Sequence, residues 1–194
     1  NEEASMLRAF ANTLYIALFS IIGQMFISSL AAYSFAKINF KGKQVVFMLF
    51  LSSMMVPSQL TIIPRFMLFK TIGLYNNLWA IILPAFFGAT SIFMLRQFYM
   101  GLPNDLIEAA KIDGAGHLRI FLRIMLPLTK AALMSLIILA FISSWNEYMA
   151  PLIFLVKKEL YTVSQNIQWY MLDEFKEHTL PMAAATSMVR SSSP

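Results

Sequence analysis

Between Arg8 and Lys37 the chain carries no charged side chain. A helix rises 1.5 Å per residue, so about 20 residues cross the hydrocarbon core of a bilayer. In that medium every backbone N–H and C=O must be bonded internally, which leaves helices or closed barrels. Residues 12–36 are therefore read as a transmembrane helix with some tilt. The rest of the chain has the same character: 58% of its residues are hydrophobic and 13% charged, against about 25% charged in soluble domains. Its charges cluster between long uncharged runs. Seventeen Phe, 14 Met and 7 Gly suit packed apolar helices. The expected fold class is all-α, a polytopic membrane helix bundle.

Three further complete spans are predicted, at about 44–63, 78–95 and 131–156. Ser28, Ala32 and Ala36 repeat at helical spacing in the first span and would admit a neighbouring helix. Lys37, Lys41 and Lys43 follow in a short loop. Such clusters mark the cytoplasmic side, so this loop and the polar segment 96–130 are placed in the cytoplasm. Pro57 and Pro64 flank the far end of the second span. They fit either a helix end at the interface, which is favoured, or a broken helix beside a translocation path. Residues 65–77 then lie outside, partly buried along the interface. Pro84 is expected to kink the third span. Residues 180–189 are too few to cross as a helix and are read as an incomplete, cut span rather than a re-entrant one. Residues 190–194 form an atypical tail. A hydrophilic loop, 157–179, is either a docking surface for an extracytoplasmic protein or a solvated loop on the interface.

The net charge of +5 sits mainly between spans, so orientation in a membrane explains it and nucleic-acid binding is not expected. The absence of cysteine removes disulfides, thiolate metal sites and Cys nucleophiles. His117 and His178 lack ligand-like spacing, so no metal is expected. No phosphate-cradling loop is present: Gly42-Lys43 is followed by Gln44, and no glycine stands five residues before Gly42. No signal peptide is visible, and the chain is expected to begin inside a longer protein. No internal repeat and only one intramembrane acid, Glu147, argue against an ion-coupled secondary transporter. No His, Cys or paired acids fall in the spans at catalytic spacing, so an enzyme is not expected.

The segment 102–127 is the most informative. Asn104 and Asp105 suit a helix start, with Glu108 near the positive end of the dipole. Gly114 and Gly116 end that helix, and a second amphipathic stretch carries Leu118, Phe121, Leu122 and Met125 before Pro127. A helix, a glycine turn and a second helix are thus held under the membrane between two spans. Small residues at Ala109 and Ala110 permit close approach by another surface; a plain connector is the alternative.

The succession Glu108-Ala109-Ala110, Asp113-Gly114-Ala115, Leu126-Pro127 resembles the EAA signature of ABC-importer membrane subunits. Met55-Val56-Pro57, Ile63-Pro64, Gly73-Leu74, Asn77, Arg96-Gln97-Phe98, Leu102-Pro103 and Trp145-Asn146-Glu147 are similar to the sugar-importer, maltose-type branch. The resemblance covers about 10–189 and implies a single permease domain over 1–189, with the first and last of six spans missing. It implies that Glu108, Ala109, Ala110, Asp113, Gly114, Ala115 and Gly116 couple to an ATPase subunit. It implies no cofactor in this chain, ATP being hydrolysed by the partner. The implied partners are a second, different permease subunit, two ATPase subunits, an extracytoplasmic solute-binding protein and the bilayer. The expected location is the bacterial inner membrane, and the expected cargo a sugar or oligosaccharide, with glycerol-phosphate-type solutes as the alternative. Trp145, Asn146, Glu147 and Gln59 are candidates for the substrate path. For Glu147, contact with a binding protein alone is the competing reading.

Overall fold

A computed structural model describes residues 2–169 and 171. Among them every regular element is helical, in keeping with the expected all-α bundle. The predicted incomplete span 180–189 and the tail 190–194 lie outside the described residues.

The uncharged run folds as one long helix, α1 (Glu2–Lys37). Its buried face is a stripe of mostly small residues: Ala9, Thr13, Ala17, Ser20, Ser28 and Ala32. Its opposite face exposes Leu7, Leu14, Leu18, Ile22 and Phe26. Small residues inside and large apolar residues outside is the arrangement lipid favours, because close backbone approach, not water exclusion, drives helix packing there. Ser28 and Ala32 are fully buried and Ala36 half-buried, so the expected small-residue contact forms.

The second predicted span is a bent pair. Helix α2 (Lys43–Ser52) runs into a 3-10 turn, Ser53–Met55, and the chain then turns through 98° into α3 (Ser58–Thr71). The helical run ends at Met55, just before Pro57, and a separate helix starts at Ser58. Val56 and Pro57 take extended conformations, and the helix resumes and accommodates Pro64 in its second turn. The segment predicted to run along the outer interface is thus largely helical. A short loop follows, in which Asn76, at φ 60, accepts backbone N–H groups of Val156 and Lys157 on its Oδ1.

The third predicted span forms α4 (Trp79–Ala85) and α5 (Ala89–Met100), interrupted just after Pro84 as expected. The Phe86 ring fills the space left by Gly23 of α1, and the Gln24 side chain fills the space left by Gly88. Gln24 Nε2 donates to Ser91 Oγ at 2.9 Å. The two helices therefore interlock through two glycines on opposite sides of one contact.

Helix α6 (Asp105–Ile112) precedes α7 (His117–Ile120), a π-helical turn Phe121–Met125, and α8 (Leu126–Leu128). The π turn sits just before Pro127, whose ring cannot tolerate an α-helical carbonyl at Arg123. The chain bends by 76° into α9 (Lys130–Trp145). The Thr129 hydroxyl, fully buried at the bend, donates to the Met125 and Leu126 carbonyls.

The fourth predicted span does not continue to 156. It breaks after α9 and restarts as α10 (Met149–Phe154). At the break the Asn146 amide donates to the Ile142 carbonyl, and Glu147 Oε1 accepts the Ala150 N–H at 3.0 Å. Local polar side chains thus compete with the helical ladder. Residues 157–169 fold back on the start of α1. Asn12 donates to the carbonyls of Glu159 and Tyr161, and Thr13 Oγ1 accepts the Val163 N–H.

Among the described residues two helical stretches, Ser5–Lys37 and the interrupted Trp79–Met100, are long and apolar enough to cross a membrane; Lys43–Thr71 and His117–Asn146 qualify as bent pairs.

Candidate functional site

At the lysine-rich end of α1, the predicted helix–turn–helix is present as drawn from the sequence. The end of α6 explains the spacing of its signature. Ala115 N–H reaches the Ala110 carbonyl at 2.9 Å, and Gly114 N–H reaches the Lys111 carbonyl at 3.0 Å. Gly114 sits at φ +76. This is a Schellman cap, with Gly114 in the left-handed position and Ala115 following it. Ala110 and Ala115, at the two ends of the longer bond, both pack into the main core. Glu-Ala-Ala followed by Asp-Gly-Ala is thus a helix that stops with its last turn closed.

What this helix presents outward differs from what it packs inward. Ile107 and Ala110 are buried, while Glu108, Ala109, Asp113, Gly114 and Gly116 are exposed and Ala115 is half-buried. Ile112 is 86% exposed, and Leu106 and Leu118 are exposed beside it. The outward face of the unit thus combines exposed apolar side chains with the charges of Glu108, Lys111 and Asp113.

The unit is tied to α1 at two points, and beside it Arg96 braces α5 against α1 and α2. Lys37 Nζ donates to the Leu102 carbonyl at 2.7 Å and to Asn104 Oδ1 at 2.6 Å, just ahead of α6. The Tyr33 hydroxyl lies 3.1 Å from His117 Nδ1, and its buried ring meets Tyr99 and Phe121. Arg96 bonds the Phe35 carbonyl and lies 4.0 Å over the Phe47 ring. The segments on both sides of α6 are thus bonded to α1. Lys37→Met removes two charge-assisted bonds, a loss of about 1–3 kcal/mol. The melting temperature of the detergent-purified chain is expected to fall by about 2–10 °C, at roughly 2–4 °C per kcal/mol for a chain of this size.

The second feature is a cavity of about 460 Å³ between α1, α3, α4 and the α9–α10 break. Gln24 on its wall lies 13 residues from Lys37, about 20 Å along the helix. The cavity thus begins deep in the bundle and continues toward the Asn12 end. Gln59 and Glu147, both singled out from the sequence, line it together. Trp145 and Asn146 do not. Trp145 packs at 5.5 Å on both Phe10 and Phe141, and the Asn146 amide is engaged with its own helix.

Sequence reasoning missed Arg65, Gln24 and Ser143, which also line this cavity. Arg65 is the one charged residue between Lys43 and Lys70, and Gln24 is the one amide side chain in 13–38. Isolation in an apolar run was the available signal. Arg65 fell in the segment read as lying along the interface, and so was not joined to the substrate-path candidates.

Residues 24–191 match the family described as binding-protein-dependent transport system inner membrane component. The chain belongs to that family. This permease chain is 39% identical, over 79% of its length and 55% of the relative's, to the arabinooligosaccharides transport system permease protein AraQ of Bacillus subtilis (strain 168). It is 34% identical, over 73% of its length and 50% of the relative's, to the sn-glycerol-3-phosphate transport system permease protein UgpE of Yersinia enterocolitica. The permease therefore spans about half the length of these curated relatives. Its fold matches, with a TM-score of 0.80 at 25% identity, a chain of a bacterial ABC transporter involved in the import of the acidic polysaccharide alginate. The match covers 91% of this permease and 64% of that chain. The resemblance read from the sequence is thus established at family level, with inner-membrane location and transport as the family's description.

Proposed function

We propose that this permease chain belongs to an ATP-driven sugar or oligosaccharide importer, forms part of the translocation path, and receives force from a separate ATPase subunit through α6. The observation that carries this reading is the capped α6 with its open apolar residue Ile112, fixed by Lys37 and Tyr33 to the long helices. ATP hydrolysis belongs to the partner, and this chain holds no cofactor. Closure of two ATPase subunits pushes α6, and the attached helices tilt so that the cavity opens to alternate sides, a rigid-body form of alternating access. The lysine-rich end faces the cytoplasm. A second permease subunit completes the path, and an extracytoplasmic solute-binding protein delivers the cargo at the Asn12 end. The relatives' names support oligosaccharide cargo first and glycerol 3-phosphate second.

The test is copurification from membranes expressing the whole transporter. The ATPase subunit is expected to remain with the wild-type chain and to be lost with Glu108→Lys combined with Ile112→Glu, while the second permease subunit is retained. An ATPase subunit that stays bound to the double variant removes α6 from the coupling role.

A further inference from the structure

The cavity between α1, α3, α4 and the α9–α10 break carries two opposite charges, Arg65 and Glu147. Neither is neutralised by the other in a bonded pair. Glu147 uses one carboxylate oxygen on the Ala150 N–H. Arg65 lies with its guanidinium 5.1 Å from the centre of the Phe154 ring, and its Nε is buried with no hydrogen-bond partner. A buried donor of a charged group left without an acceptor is costly, and here it lines an open space. The remaining polar wall is made of neutral groups that both give and take hydrogen bonds: Gln24, Gln59 and Ser143. Phe87, 67% exposed, adds an aromatic surface.

We propose that this wall is a contact site for a neutral, polyhydroxylated sugar, with Arg65 and Glu147 as specificity-determining residues. The assignment rests on the importer reading and deepens it by selecting among the cargo classes it leaves open. A sugar hydroxyl is both donor and acceptor. Neighbouring hydroxyls can therefore donate to the Glu147 carboxylate and accept from the Arg65 guanidinium at once, each through a charge-assisted bond. The apolar face of the ring suits Phe87. A phosphate or uronate has acceptors only at its charged group. It would gain Arg65 but meet Glu147 as a like charge across the same opening. A wall of zero net charge with donors and acceptors interleaved favours the uncharged ligand. The volume, about 460 Å³, lies within the range of small-ligand sites.

The experiment uses the complete transporter, with its second permease, ATPase and binding-protein subunits, in proteoliposomes. Radiolabelled probes are a neutral panel (arabinotriose, xylotriose, maltotriose) and an anionic pair (sn-glycerol 3-phosphate and digalacturonate). The wild type is expected to accumulate a neutral probe and neither anionic one. Arg65→Gln and Glu147→Gln should each raise the KM for that probe by about tenfold, the loss of one charge-assisted bond. Phe87→Ala, at an exposed position, should raise KM severalfold without disturbing a buried charge. It serves as the second variant if Arg65→Gln fails to assemble. ATPase-subunit copurification reports assembly for all three. Uptake of an anionic probe with no neutral one, or a KM within twofold of wild type in all assembled variants, overturns the site while leaving the importer reading intact. ATP-independent behaviour with no ATPase subunit bound defeats the importer reading itself.

Discussion

Gly114→Val is expected to lower ATP-driven uptake by more than tenfold while the chain stays in the membrane. The reason is backbone strain, not crowding. A Cβ at Gly114 would meet nothing within 4 Å, but φ +76 lies in the left-handed region. Ordinary L-residues occupy that region at a cost of about 1–2 kcal/mol, and β-branched residues fit it worst. Valine would therefore open the cap. Releasing the Ala115-to-Ala110 bond frees the last turn of α6, so the exposed Ile112 no longer has a fixed direction. A force applied to such a helix is spent on bending it rather than on moving α1 and α5. Gly114→Asn, which tolerates this conformation, should keep at least half of wild-type uptake. Equal loss in the asparagine and valine variants would show that the left-handed turn is not the operative feature, and normal uptake in the valine variant would show that the cap is dispensable.

Gly23→Leu is expected to be the most destabilising single change in the membrane-embedded part. Even a bare Cβ at this position would overlap the Phe86 ring. Overpacking of a tight contact typically costs about 1–3 kcal/mol, and leucine adds three carbons beyond the Cβ. Displacing Phe86 also disturbs the interrupted helix at 86–88, which Gln24 and Ser91 hold from the other side. The melting temperature of the purified transporter should fall by about 5–10 °C, from ~2–4 °C per kcal/mol in chains of this size. Phe86→Ala in the same chain should recover part of that loss, because it removes the ring that leucine displaces. Strictly additive effects of the two changes would mean that the ring and the glycine do not meet in the membrane.

The helix, glycine turn and second helix at 105–125 were legible in the sequence because their determinants are local. A left-handed glycine, an alanine after it and an acidic first turn act within ten residues, so Asp105–Gly116 folds as read. The long uncharged run of α1 was equally legible, since lipid leaves an apolar segment of that length few conformations. The interrupted third helix could be anticipated from Pro84 for the same reason.

The cavity was only half legible. Gln59 and Glu147 stood out as polar groups at span ends, but nothing local says whether they face each other. Trp145 and Asn146 adjoin Glu147 in sequence and yet turn elsewhere, because the helix stops between them and α10. Arg65 was read as part of a segment along the interface, and no local signal says that the 98° bend after Met55 turns it toward Glu147.

The sequence by itself determined that this chain is a set of membrane helices with a capped helical unit on its lysine-rich side, because solvent and backbone chemistry act residue by residue. Only the tertiary structure decided which polar groups share a cavity. Residues 24, 59, 65 and 147 come from three separate segments, α1, α3 and the α9–α10 break, and their meeting depends on two sharp bends of the chain and on the glycine-for-ring exchange between α1 and the third span, which are set by packing across the bundle and not by any neighbour in sequence.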